Sequence, residues 1–298
     1  MGEAAALASA LCWAGTSVGM ARLSTRYGGA VLSGARFLIA SPFVLALLLL
    51  TGATEELRAA PWQSLAAIIA SACIGYGIGD TTYVRALPRI GLQRMSPTAT
   101  ALWVAMSAAG GVLLLGERAG WDLLLGGAAV VVGTYLVVRS QVATLPDPSG
   151  PSRLGPLATV AVLLLVAGAW AVATLLLAGG RGNLGAIAAG AVRIPTGGLV
   201  IATVATIATR GEVLRRLPTA RDLPLVIALG VIGTAVGSLL YIYAVAEAGA
   251  ARAVILNSTS PLMVVPLSMF FLGERPTRLV GLGTACCLVG TLIVVAAG

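Results

Sequence analysis

Asp80 is the one acid that falls well inside an apolar run of this sequence, and two arginines, Arg36 and Arg193, fall inside two other runs. Ionised groups surrounded by apolar residues are costly, so each marks an ion pathway, a ligand contact or a buried pair. Asp80 suits a proton or the ammonium of a substrate. Arg36 lies at a similar distance from the end of its own run, so a structural Arg36–Asp80 ion pair is the competing role. A guanidinium without an acid, as expected of Arg193, suits a carboxylate or phosphate gripped by a bidentate fork; its alternative is snorkelling to the nearest polar surface. His is absent, and Cys12, Cys73, Cys286 and Cys287 lack metal-ligand spacing, so metal chemistry, disulfides and a bound cofactor are not expected.

Aromatic residues recur in the same runs: Trp13, Tyr76, Tyr83, Trp103, Trp170 and Tyr241. Their faces would hold apolar or cationic groups, or else serve in helix packing. Asn257-Ser258-Thr259-Ser260-Pro261 is a polar stretch ending in a helix breaker. Irregular backbone at that position is tolerated only where it lines protein or water, which makes Asn257 and Thr259 candidate ligand contacts.

The elements that must position these residues are built twice. Gly79, Tyr83, Ala86, Gly91 and Arg94 return 158 positions later as Gly237, Tyr241, Ala244, Gly249 and Arg252. At an offset of 157, Trp13 returns as Trp170, Arg36 as Arg193, and Leu115-Gly116-Glu117-Arg118 as Leu272-Gly273-Glu274-Arg275. The counterpart of Asp80 is Ser238, so the second copy lacks the acid. Glu117 and Glu274 read as interfacial caps and topology anchors.

With 58% hydrophobic and 10% charged residues and a mean hydropathy of +0.97, the chain has too little polar surface for a soluble globule and belongs in a lipid bilayer. A helix needs about 20 apolar residues to cross the hydrocarbon core. Ten such runs are expected, at 3–21, 30–51, 62–84, 94–115, 120–138, 155–178, 184–208, 223–246, 251–272 and 278–297. The proline-rich stretch 140–154 separates a first five-helix repeat, 1–139, from a second, 155–298. An odd number of spans per repeat makes the two halves inverted, related by a pseudo-two-fold axis in the membrane plane.

The net charge of +8 comes from 19 arginines and no lysine. These lie mainly between the apolar runs, with no basic face to lay on nucleic acid. Thirteen fall in odd-numbered loops and four in even-numbered ones, with Arg36 and Arg193 inside runs. Positive residues favour the cytoplasmic side, so this distribution places both termini outside.

The paired tryptophans, the arginine early in each second run, the Gly-x-x-x-Tyr-x-x-Ala segments and the Leu-Gly-Glu-Arg ends together resemble the drug/metabolite transporter superfamily, in its ten-span EamA type. The resemblance covers essentially the whole chain. It implies an all-α membrane fold and a monomeric secondary transporter, often an exporter of amino acids or other small metabolites, alternating access around a central cavity. Location in the plasma (inner) membrane of a prokaryote, with lipid and a small-molecule substrate as partners, is implied with it. Asp80, Arg36, Arg193, Trp13, Trp170, Tyr83, Tyr241, Ser238, Trp103, Asn257 and Thr259 are then the substrate-binding and coupling candidates. The sequence departs from the family pattern in two places. Both ends are commonly cytoplasmic there, against the arginine count here, and a proline thirteen residues before the Glu of the fourth span stands at Pro261 but is Val104 in the first half, with Pro97 nearby.

One enzyme class competes. Gly77-Ile78-Gly79-Asp80 is similar to the Gly-x-Gly-Asp signature of presenilin-type intramembrane aspartyl proteases. Hydrolysis there needs two carboxylates sharing a proton, and Asp122, Asp147 and Asp222 all sit at the ends of runs or in the linker.

Overall fold

The computed structural model describes residues 1–27, 29–90, 92–118, 120–142, 156–208, 210–211, 218–260, 262–263, 267 and 278–296. Pro261, the second Leu-Gly-Glu-Arg copy with Glu274 and Arg275, Asp147 and most of the 140–154 linker lie outside these residues. Every regular element among the described residues is helical. In the first half they are α1 (Gly2–Tyr27), α2 (Gly29–Leu50), α3 (Thr54–Ala59), α4 (Trp62–Ala72), a π-helical segment π1 (Cys73–Asp80), α5 (Thr81–Ile90), α6 (Leu92–Leu115) and α7 (Trp121–Val142). The second half has α8 (Pro156–Gly180), α9 (Ala186–Ala208), α10 (Leu223–Ala228), a second segment π2 (Leu229–Val236), α11 (Gly237–Ala248), α12 (Ala250–Asn257) and α13 (Arg278–Ala296).

Five helical stretches are long and apolar enough to cross a membrane: Val31–Leu50, Trp62–Tyr83, Leu157–Gly180, Ala186–Ile207 and Leu223–Ala248. Ala99–Leu115, Trp121–Leu136 and Gly281–Ala296 are shorter apolar helices. Helix α1 is 26 residues long but is not among the five; Ser9, Gly15, Thr16, Ser17 and Gly19 dilute its apolar character. The outward surface carries exposed Leu45, Leu49, Leu113, Leu164, Leu165, Leu199, Ile207, Leu288 and Leu292. An apolar area of this kind is stable against acyl chains and not against water.

The third expected run is one continuous helical rod with an unexpected wide turn in it. Its repeat mate has the same feature, since π1 precedes α5 as π2 precedes α11. Both segments are rich in glycine (Gly75, Gly77 and Gly79; Gly230 and Gly233). Glycine weakens the regular α ladder, and single π turns recur at functional positions.

These glycines bring the two halves together by exchange. Helix α8 packs on α4 and π1, and helix α1 packs on π2 and α11, so the first helix of each half lies on the third rod of the other. A Cβ on Gly79 would stand 2.7 Å from Nε1 of Trp170, and one on Gly237 would stand 3.1 Å from Cβ of Cys12 and 3.8 Å from Nε1 of Trp13. The repeat mates Gly79/Gly237 thus receive the repeat mates Trp170/Trp13.

Helices α7 and α13 pack along each other in the same exchanged way. A Cβ on Gly126 would meet the carbonyl of Gly290 at 2.8 Å, and one on Gly290 the carbonyl of Gly126 at 2.6 Å. Seven residues on, Gly133 stands against the backbone of Gly283 and Cys287. The order 126 to 133 against 290 to 283 makes the pair antiparallel. At the offset of 157, Gly126 maps onto Gly283 and Gly133 onto Gly290, so the repeat carries each contact into the other. Close backbone approach of this kind supplies packing where lipid gives helices no hydrophobic drive to associate.

The helix ends are tied in two groups. At one end Arg252 bonds Asp122 at 2.9 Å and lies 3.7 Å from Glu3, while the backbone N–H of Gly185 donates to Glu56 at 2.7 Å. Glu117 accepts from the N–H groups of Ala250 and Ala251 at 2.6 and 3.0 Å and so caps α12 in the other half; the cap expected from its sequence position is a bond between halves. Exposed Trp62 and Trp121 begin their helices at this end, where indole rings suit a headgroup layer. At the far end of α1, Arg26 and Tyr27 hold Asp222, before α10.

Candidate substrate site

Asp80 ends π1, one residue beyond the glycine on which Trp170 rests, and that approach gives the carboxylate its partner. Trp170 Nε1 donates to Asp80 Oδ1 at 2.7 Å. Trp170 in turn packs against Tyr83, with ring centroids 5.4 Å apart, and edge-on against Trp103 at 6.1 Å. Four residues further along α8, on the same face, Thr174 donates to the Trp170 carbonyl at 3.0 Å. Its oxygen then accepts from the Tyr241 hydroxyl at 3.0 Å and, at the longer distance of 3.4 Å, from Trp103 Nε1. Asp80, Tyr83, Trp103, Trp170 and Tyr241 therefore form one connected group drawn from both halves.

The two intramembrane arginines are held differently. Arg193 is only 6% exposed. Its Nε donates to Ser71 Oγ at 3.1 Å and its terminal amine to the Tyr76 hydroxyl at 2.6 Å, with the guanidinium 4.6 Å from the Tyr76 ring centre. It does not snorkel; two neutral oxygens and a ring hold it inside the protein. Arg36 lies over the rings of Trp13 at 5.3 Å and Phe37 at 5.6 Å. Its Nε is sealed from solvent and has no hydrogen-bond partner.

The direct Arg36–Asp80 ion pair expected from the sequence is not formed: among the described residues, no Arg36 nitrogen reaches Asp80 within 4.0 Å. The physical reason is that each group has been claimed by an aromatic residue, Asp80 by the Trp170 N–H and Arg36 by two ring faces. Both Arg36 and Arg193 still attract the Asp80 charge through space. Tyr76 and Ser71 occupy Arg193, so the unpaired guanidinium expected there is not found; of the two arginines it is Arg36 whose Nε has no partner.

Ser238, the mate of Asp80, is 1% exposed and its hydroxyl has no partner. Asn257 closes α12 with its Oδ1 sealed and unpartnered. Thr259 is buried and donates back to the Leu256 carbonyl at 2.6 Å, one turn earlier in its own chain. Neither is joined by a described hydrogen bond to the Asp80 group. Thr174 and Ser71 had not been singled out from the sequence. Thr174 stands at i+4 from Trp170 on one helix face, a spacing that could have pointed to it.

No second carboxylate joins Asp80 among the described residues. Asp122 is bound to Arg252 and Asp222 to Arg26 and Tyr27, at opposite ends of the molecule. A shared-proton dyad for peptide hydrolysis is not assembled from these groups.

Comparison with known proteins bears on the family and the fold. No curated protein matches the chain. A crystal structure of a protein superposes with a TM-score of 0.78 over 99% of this chain and 96% of that one, at 16% sequence identity; this likeness concerns the fold alone. The family model of the EamA-like transporter family matches residues 1–139 and again 157–296, so both halves carry it. The chain belongs to the EamA-like transporter family and is an integral membrane transporter of the drug/metabolite superfamily.

Proposed function

We propose that this protein is a monomeric secondary transporter of the plasma (inner) membrane of a prokaryote. It exports a small metabolite such as an amino acid by alternating access around a central site, using proton exchange on Asp80. Its ten spans form two inverted repeats of five, a reading supported by the antiparallel glycine contacts that the repeat exchanges and by the two groups of tied helix ends.

The observation that carries the reading is the Trp170–Asp80 bond. It joins the third rod of one half to the first helix of the other, the surfaces that must slide when a site opens to alternate sides. When the halves separate there, Asp80 loses its donor and takes a proton; when they close, the indole N–H replaces that proton. Tyr83, Trp103 and Tyr241 line the same junction with faces suited to an apolar or cationic group. A ligand that favours one arrangement by its contacts shifts the population toward it.

The test is flux into proteoliposomes under an imposed pH gradient. Asp80→Asn is expected to move substrate without dependence on the gradient. Unchanged pH dependence in that variant removes Asp80 from coupling, and product formation without vectorial movement removes the transport reading.

A further inference from the structure

We infer that Arg36, which lies over the Trp13 ring, and Ser238, which follows the glycine that Trp13 meets, form an anion subsite that takes the carboxylate of the transported molecule. This inference rests on the transport reading above and adds to it where the charge of the substrate is held.

The subsite follows from the way the repeat breaks its own symmetry. In one junction, Trp170 meets Gly79 and the next residue, Asp80, fills the polar position with an acceptor for the indole N–H. In the mirror junction, Trp13 meets Gly237 and the next residue is Ser238. The carboxylate is replaced by a short hydroxyl with no partner, in a place 1% exposed. Above the same indole ring lies the Arg36 guanidinium at 5.3 Å. Its Nε is sealed and unpartnered, and no hydrogen bond ties it to any described residue.

A buried unmade donor is costly and natural structures rarely leave one without reason. Here a donor cation over Trp13 and a donor hydroxyl one residue beyond the glycine that Trp13 meets are both left unmade, and the repeat mate of that serine in the other half is a carboxylate. The missing chemistry is therefore an acceptor with negative charge. A carboxylate fits, because a guanidinium offers it parallel N–H donors and a serine hydroxyl completes the second oxygen. Arg193 is excluded from this role by its bonds to Ser71 and Tyr76.

The experiment measures thermal unfolding of the purified full chain at constant ionic strength with acetate, benzoate, L-alanine and L-phenylalanine, each against its carboxamide. At least one carboxylate is expected to raise the transition temperature by mass action on the folded state while its carboxamide does not. Ser238→Ala, which deletes an unsatisfied hydroxyl and so retains the fold, is expected to weaken that carboxylate about tenfold, the size of one hydrogen bond to a charged group. Ser238→Asp places the missing carboxylate in the chain; it is expected to stabilise the unliganded protein and abolish the shift. No shift with any carboxylate, equal shifts with the carboxamides, or a full shift in both Ser238→Asp and Arg36→Gln overturns the subsite. Flux into vesicles separates the two readings. Vectorial flux of neutral or cationic solutes unaffected by Arg36→Gln sinks the subsite and leaves transport standing, whereas carboxylate binding without vectorial flux does the reverse.

Discussion

Trp170 Nε1 lies 2.7 Å from Asp80 Oδ1, so the one acid at the centre of the first half is held by an indole of the second. Trp170→Phe retains ring packing with Tyr83 and Trp103 but leaves the carboxylate oxygen without its donor. The expected loss of stability is about 1–3 kcal/mol, the cost of stranding a buried polar atom. In the Trp170→Phe/Asp80→Asn double variant the charge is gone and most of that loss is expected to be recovered. Thermal unfolding of the two single variants and the double variant measures the coupling; purely additive losses would show that the bond contributes nothing.

Packing between α7 and α13 gives a second prediction. Gly133→Ala would put a Cβ 2.6 Å from the backbone nitrogen of Cys287, where no side chain can give way. A loss of about 1–3 kcal/mol is expected, as for other overpacked sites. Gly15→Ala is the matched control, because nothing lies within 4 Å of its added Cβ. It is expected to be neutral or to gain up to about 1 kcal/mol from helix propensity. Equal effects of the two substitutions in detergent would contradict the close approach.

Glu117 tests the joint between halves. Its two oxygens cap the N–H groups of Ala250 and Ala251, and the backbone bends to meet them at Gly249, whose φ is +84°. Glu117→Ala is expected to lower stability by about 1–2 kcal/mol, the range for a lost N-cap. Gly249→Ala is expected to do at least as much, since a side chain is strained at that φ and would also stand 2.9 Å from Glu117 Oε1. A thermal transition unchanged in both would remove the cap as a structural tie.

What was legible in the sequence follows from which interactions leave a periodic trace. The repeat and the helical class could be anticipated because tryptophan, glycine and buried charge are rare enough in apolar runs for their spacing to stand out; that Asp80 would be held by Trp170 rather than paired with Arg36 could not. The wide turns π1 and π2 could not, because a π turn depends on which glycines meet another helix, and composition shows only that glycines are present. Arg36 and Asp80 were matched by depth alone. Depth does not report azimuth, and the rings of Trp13, Phe37 and Trp170 intercept both groups before they meet. The same blindness hid the partners of Arg193: Tyr76 and Ser71 sit on π1 and α4, and nothing in the order of residues says that they point at Arg193.

Asp222 gives a pH dependence outside the membrane. The Tyr27 hydroxyl, donating at 2.6 Å, is the main cause that holds this carboxyl below its ordinary value; partial burial opposes it, and Arg26 at 3.2 Å assists. A carboxyl with a depressed pKa adds stability above its unfolded value, about 3.9, and loses it as pH falls through the lower folded value. The difference in transition temperature between the wild type and Asp222→Asn is therefore expected to be constant above about pH 5 and to shrink below about pH 4. A difference that grows as the solution is acidified would reverse the sign of the contact.

Sidedness is decided by two exposed positions at opposite ends of the molecule. Thr219 lies beside Tyr27, whose hydroxyl oxygen accepts from the Thr219 backbone N–H and from its Oγ1, each at 3.1 Å, at the end carrying Arg26 and Arg221. Asn183 lies in the turn between α8 and α9, two residues from the Gly185–Glu56 bond that marks the other end. From thirteen arginines in the odd-numbered loops against four in the even-numbered ones, we expect the Thr219 end to face the cytoplasm. With Cys12, Cys73, Cys286 and Cys287 replaced, a membrane-impermeant thiol reagent added to intact cells is expected to modify Asn183→Cys and to reach Thr219→Cys only after permeabilisation. The opposite pattern would place both termini inside, as the family resemblance implies. The arginines would then follow some demand other than insertion, such as the headgroup contacts of the loops that carry them.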